Sequence, residues 1–261
     1  MWTSGAALLL VMLGMVLGIQ RLRLRQRYAG GRRSPYRGWQ AWHHWLGLGI
    51  GTLMLTWLFS GWLSVTPFGW LSSPGVTAQD RLAFAGGALT RADLAAPVAD
   101  IVRRHPGLLE LAWRRIDGQL NFSMLDHAQR QLLRPVPAEQ LQHAIQAMRP
   151  GAPLTLELLT SEDHYHYSHH RQAVLPVLRA HFGLADETTF YIDPAQGDIA
   201  GHADSNSKWN RWLFNGLHQL DFAAVVRLRP IWDILVIGLC VIGAVSTLTG
   251  VVLGWRRLRK R

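Results

Sequence analysis

Apolar positions along this chain gather into long runs set apart from segments with shorter periods. From Trp45 to Val65 there are 21 consecutive positions without a charged side chain. At about 1.5 Å per helical residue, such a run matches the ~30 Å hydrocarbon layer of a bilayer. Runs of the same character lie between Trp2 and Ile19 and between Ile234 and Trp255. The pattern predicts three transmembrane helices, over residues 1–20, 45–66 and 230–255. No cation precedes the first run and RLRLRQR follows it, so it reads as a retained helix and not as a signal peptide.

Residues 67–206 carry a different pattern, which predicts one α+β domain built twice. In LTRADLAAPVADIVRRHPG, Thr90 is a candidate N-cap, Leu94, Val98, Ile101 and Val102 recur at helical spacing, and Gly107 is a stop. ELAWRRIDGQLNFSMLD reads as a hairpin about Asp117-Gly118. PAEQLQHAIQAMRPG repeats the helix, and PLTLELLT, VLPVLRAHF and TTFYIDPAQGDI repeat the strands. Residues 207–229 follow with KWNRWLFNGLHQLDF, whose Trp209, Trp212, Leu213, Leu217 and Leu220 predict an amphipathic helix lying on the membrane surface.

Charge orients this plan. The loop over residues 21–44 holds seven arginines and the tail over 256–261 five cations, with no carboxylate in either. Both belong on the cytoplasmic side by the positive-inside rule, and the N-terminus outside. Removing those 12 cations from the 27 Lys plus Arg leaves 15 against 17 Asp plus Glu, so the α+β segment is near neutral. The net charge of +10 is thus accounted for by topology and lipid headgroups and gives no nucleic-acid signal. The lone Cys240 excludes an intrachain disulfide.

WHHWLGL, SGWLSVTP, VLPVLRAHF, FYIDPAQGDI, RWLFNGLHQLDF, RPIWD and LTGVVLGWRRLRK, in this order and spacing, resemble the PepSY-associated transmembrane family over most of the chain. The resemblance implies periplasmic PepSY-type modules between helices of a bacterial inner membrane. It also implies kinship with iron-uptake proteins, among them haem-binding reductases of ferric siderophores. The family histidine of LHRWLGL falls on His43, and that of LHTG on His218. This chain departs from the pattern in having three spans where relatives have four or more, and LHQLDF where they have a glycine-bearing sequence.

Two imidazoles that hold one haem iron must approach it from opposite faces. His43 and His44, about 100° apart on a helix, cannot both bind the same iron. Each is either a ligand or, with Trp42 and Trp45, part of an interfacial belt. His218 has Asp221 within a helical turn, placed to receive its second ring N–H. It lies ~30 Å from His43 across the layer, so one haem cannot bridge the two. His164, His166, His169 and His170 form a second cluster. His164 and His166 share a face if extended, and His166 and His170 if helical, a spacing that suits Zn²⁺ or Cu²⁺.

The chain has no P-loop, dinucleotide turn, GxSxG elbow or HExxH. Any electrons therefore come from a membrane quinol or a partner protein. Two readings follow. One is a haem b redox protein that passes electrons to periplasmic ferric chelates such as siderophores. The other is a non-enzymatic PepSY module, anchored in the lipid bilayer, that binds a periplasmic partner. With His43 as an inner ligand, the missing second imidazole comes from a homodimer mate, with Gly47, Gly49 and Gly51 allowing close approach.

Overall fold

The computed structural model describes residues 1–261 apart from 96–97, 129, 169–171, 223–227 and 260–261. Its helices are α1 (Trp2–Arg21), α2 (Trp39–Ser64), α3 (Ala78–Ala85), α4 (Arg91–Leu94), α5 (Val98–Arg104), α6 (Ala138–Met148), α7 (Ser205–Asn210), α8 (Leu217–Gln219) and α9 (Ile231–Leu258). Its strands are β1 (Glu110–Ile116), β2 (Gln119–Leu125), β3 (Arg130–Leu132), β4 (Leu154–Leu159), β5 (Val177–Phe182), β6 (Thr189–Asp193) and β7 (Asp198–Ala203). They fall into two compact units, Met1–Ser72 with Trp209–Arg261, and Ser73–Lys208.

In the helical unit, α1, α2 and α9 are each long and apolar enough to cross a membrane. Helix α2 begins at Trp39 and so takes in the last six residues of the stretch expected as loop over 21–44, with His43 and His44 helical among them. The charge-free run marks the stretch that tolerates hydrocarbon, whereas the backbone hydrogen-bond ladder continues through the amphipathic Trp and His positions before it. Both α1 and α9 pack on α2. A Cβ at Gly51 would lie 2.0 Å from Met15 Sδ. The face of α2 that carries Gly51 is therefore taken by α1 and is not free for a second copy of the chain. Arg256 lies over the Trp39 ring at 5.7 Å, which joins the ends of α9 and α2. The helix expected over KWNRWLFNGLHQLDF is not uniform. Between α7 and α8 it widens into a π-type turn at Arg211–Gly216, and it ends at Leu220 with φ 53°.

In the strand-bearing unit, β1-β2-β3 form one antiparallel sheet and β4-β5-β6-β7 another. Asp117 and Gly118 have φ of 51° and 75°, as a type I′ turn requires, and set Ile116 against Gln119. Thr90 caps α4 in a capping box with Asp93. The single helix expected there is two, α4 and α5, with residues 96–97 outside the described residues. Helix α5 places Ile101 on Phe122 and Met124 of β2. Helix α6 places Leu141, Ala144, Ile145 and Met148, one helical stripe, against Ala180, Phe182, Phe190 and Ile192 of β5 and β6. Each sheet thus carries its own helix, but with three strands in one case and four in the other.

Helix α3 joins the larger core through Phe84. It begins in a capping box of Thr77 and Asp80, and Asp80, only 2% exposed, pairs with Arg149. Burial alone would raise the Asp80 pKa. Donors from Arg149 and Thr77 outweigh that effect and hold it below the usual carboxylate range.

Candidate functional site

His43 and His218 occupy equivalent seats near opposite ends of α2. His43 projects from α2 onto α9, where its Nδ1 lies 2.9 Å from Thr249 Oγ1. The Thr249 hydroxyl donates its own proton to Ser246 O at 2.6 Å, so its oxygen accepts from His43 Nδ1–H. That bond fixes the tautomer and leaves the Nε2 lone pair outward. The ring approaches this closely because residue 250 is glycine. A Cβ there would lie 3.2 Å from His43 Cε1.

His218 repeats the arrangement on α2. Its Nδ1 lies 3.1 Å from Trp57 O and 3.2 Å from Ser60 Oγ. A carbonyl only accepts, so Nδ1 carries a proton and donates to it, which turns Nε2 away from α2. Ser60 donates to Trp57 O, three residues back, as Thr249 donates to Ser246 O. The next residue, Gly61, admits the ring, since a Cβ there would lie 3.3 Å from His218 Cε1. Phe214, one turn earlier, stacks on His218 with ring centroids 4.9 Å apart. Each histidine therefore rests on a hydroxyl–glycine pair, Thr249-Gly250 or Ser60-Gly61. The two seats are about 25 Å apart along α2 at 1.5 Å per residue.

The Asp221 expected to orient His218 does not do so. The chain leaves the helix at Leu220, and the Asp221 carboxylate lies 3.7 Å from the Arg211 guanidinium, while His218 turns its Nδ1 to α2. His44 differs from both seated histidines. Its Nε2 donates to Gly18 O of α1 at 2.9 Å, and its Nδ1 is buried without a partner among the described residues. His44 is a strut between α1 and α2, with Nε2 taken by Gly18 O and its unpartnered Nδ1 buried.

A groove of about 500 Å³ opens beside His43 and His44, lined by Gly14, Met15, Gly18, Gly47, Leu48 and Leu253 among others. Such a volume is that of an ordinary ligand pocket. Cβ atoms at Gly14 and Gly47 would meet nothing within 4 Å, so these glycines leave the groove open. The donor set suits a haem iron, which takes neutral imidazole Nε2. His43 and His218 each engage Nδ1 and keep Nε2 for such a role, whereas Nε2 of His44 is taken by Gly18 O.

The extended pairing expected of His164 and His166 is not formed in the strand-bearing unit. His164 and His166 lie in a bend, with His164 exposed, and His169 and His170 fall outside the described residues. Asp163 shapes the bend by accepting from the backbone N–H of Tyr165 and His166 and from the Tyr191 hydroxyl. His166 donates Nε2–H to Val174 O at 2.9 Å and stacks on Tyr191 at 4.8 Å, which makes it a packing residue of the sheet's second face. Among the described residues no group of three metal-ligating side chains converges.

Acid is expected to destabilise this unit in two steps. Burial lowers the His202 pKa, opposed in part by Asp204 and Asp80. Below about pH 6.5 the unfolded imidazole gains a proton that the folded one resists, so stability falls as pH drops toward the folded pKa. For Asp163 and Asp204, burial alone would raise the pKa. At Asp163, donors from Tyr165, His166 and Tyr191 outweigh it, and at Asp204 donors from Ser73 and Ser207 do so. Their contribution is present above about pH 4 and lost below. Calorimetry of the full chain in detergent is expected to show both steps, and His202→Gln to abolish the upper one alone.

Thr249, Gly250, Ser60 and Gly61 were not legible as site residues. Each seat joins positions far apart in the chain, and the only local signal is a hydroxyl residue followed by glycine within an apolar run. No family model, curated protein or solved structure matches this chain.

Proposed function

We propose that this chain is a PepSY-associated electron-transfer protein of a bacterial inner membrane, with a periplasmic N-terminus and α+β unit. In this reading His43 and His218 each present Nε2 to the iron of one haem b. The single observation that carries it is the repeated seat, which locks both imidazoles in the ligand tautomer near opposite ends of one membrane-length helix. The cofactor, when bound, supplies reversible one-electron chemistry. The chain holds each imidazole in place, with Thr249 and Ser60 restraining ring rotation and Gly250 and Gly61 allowing the approach.

The protein passes electrons from a membrane quinol or a partner protein to periplasmic ferric chelates such as siderophores. Since His44 is engaged with α1, the second imidazole at the inner site comes from His43 of a second copy across a two-fold axis. Gly51 is filled by Met15, so close approach falls to Gly47 and Gly49, where a Cβ would meet nothing within 4 Å. Detergent-purified protein is expected to show a Soret band and an α-band that sharpens on reduction, at the mass of a dimer by light scattering. A colourless preparation that takes up no added haemin would contradict the reading and favour the non-enzymatic binding module.

A further inference from the structure

The strand-bearing unit holds a cleft of about 350 Å³ between α3, β1 and the turn joining β6 to β7. Phe84 and Ile199 give it an apolar floor, and Arg81, Arg114 and Arg115 bring three guanidinium groups to it. Arg115 is engaged through both terminal nitrogens, donating to Asp93 at 2.8 Å and to Gly118 O at 2.7 Å, while its Nε is buried without a partner among the described residues. The terminal nitrogens of Arg81 and Arg114 are held less closely. They share one carboxylate, Asp198, at 3.5 Å and 3.7 Å, beyond the ~2.7–2.9 Å of a charge-assisted hydrogen bond. Arg114 Nε is, in addition, buried without a partner among the described residues.

Two guanidinium groups against one loosely held carboxylate leave a surplus positive charge and unspent N–H donors above an apolar floor. We propose that this cleft is a binding site for a small organic anion. Arg81 and Arg114 clasp its carboxylate or equivalent acidic group, and its apolar body lies on Phe84 and Ile199. Asp198 is the internal competitor, holding the two guanidinium groups until a ligand with better geometry takes them. The site is independent of any electron transfer by the helices.

Titration calorimetry of the full chain in detergent, with benzoate, uncharged benzamide and inorganic phosphate as probes, tests this. Benzoate is expected to bind at least about tenfold more tightly than either other probe, and Arg114→Gln to lose about tenfold, the worth of one charged hydrogen bond. Asp198→Asn removes the competitor and is expected to tighten benzoate binding several-fold, a gain that misfolding cannot produce. Arg104→Gln, at an exposed position on α5, is expected to change nothing. The proposal is overturned if benzoate binds no better than benzamide or phosphate. It is equally overturned if Asp198→Asn fails to tighten binding, or if Arg104→Gln weakens it as much as Arg114→Gln.

Discussion

Replacing Gly86 by alanine is expected to cost the strand-bearing unit about 3 kcal/mol. Gly86 ends α3 with φ 68°, a left-handed conformation that costs an L-residue about 1–2 kcal/mol. It also lies directly against the hairpin turn. Asp117 N–H donates to Phe84 O at 3.0 Å and Gly118 N–H to Ala85 O at 2.8 Å, so the last carbonyls of the helix are satisfied by the turn. A Cβ at Gly86 would sit 2.1 Å from Gly118 N, and backbone cannot step aside as a flexible side chain can. Overpacking of this kind adds about 1–3 kcal/mol. Gly151 separates the two terms, having φ 75° with nothing within 4 Å of its Cβ position. There alanine is expected to cost only about 1 kcal/mol. Hydrogen exchange of the β1 and β2 amides reads the difference, since 3 kcal/mol is a change of about 150-fold in opening.

Arg149→Met is expected to cost a similar amount, about 3–5 kcal/mol, because it strands a buried carboxylate. Asp80 is 2% exposed and keeps only the Thr77 donors once the guanidinium is gone. The lost cation also lies 5.3 Å over the Phe190 ring at the centre of the core. Methionine fills the volume without the charge, so the effect reports on the orphaned anion and not on a cavity. Adding Asp80→Asn to Arg149→Met is therefore expected to recover about 1 kcal/mol or more, since a neutral amide is cheaper to bury and still accepts from Thr77. Further loss in the double variant would show that Asp80 acts only as the helix cap.

What the sequence revealed was local. The Thr90 cap, the Asp117-Gly118 turn, the apolar stripe of α6 and the three membrane-length helices each follow from a few neighbouring residues. The Thr77-x-x-Asp80 box that starts α3 is an equally local signal, although the helix that follows is only eight residues long. Strand β3 has three residues, too few to show a period, and exists by pairing with β2. Loss of charge marks a start for α2 six residues after the observed one at Trp39. Charge reports where hydrocarbon is tolerated, and the helix runs on through Trp39, Trp42, His43 and His44.

The candidate site shows the same division. Sequence spacing could separate His43 from His44 by direction, but not say which was engaged. That depends on Gly18 O and Thr249 Oγ1, from helices 26 and 206 positions away in the chain. Asp221 beside His218 was a reasonable expectation for an unbroken helix and fails because the helix ends at Leu220. The partners that do hold His218, Trp57 and Ser60, lie 161 and 158 positions away.

The most direct test of the seated-histidine account is haem content per chain, measured by absorbance and protein assay, in the wild type and in His43→Ala, His44→Ala and His218→Ala. The account predicts that His43→Ala loses the haem shared by two chains, about half a haem per chain, and His218→Ala the haem of its own seat, while His44→Ala, whose ring ties α2 to α1, retains the full complement. Loss of haem in His44→Ala equal to that in His43→Ala, or full retention in both His43→Ala and His218→Ala, would contradict it.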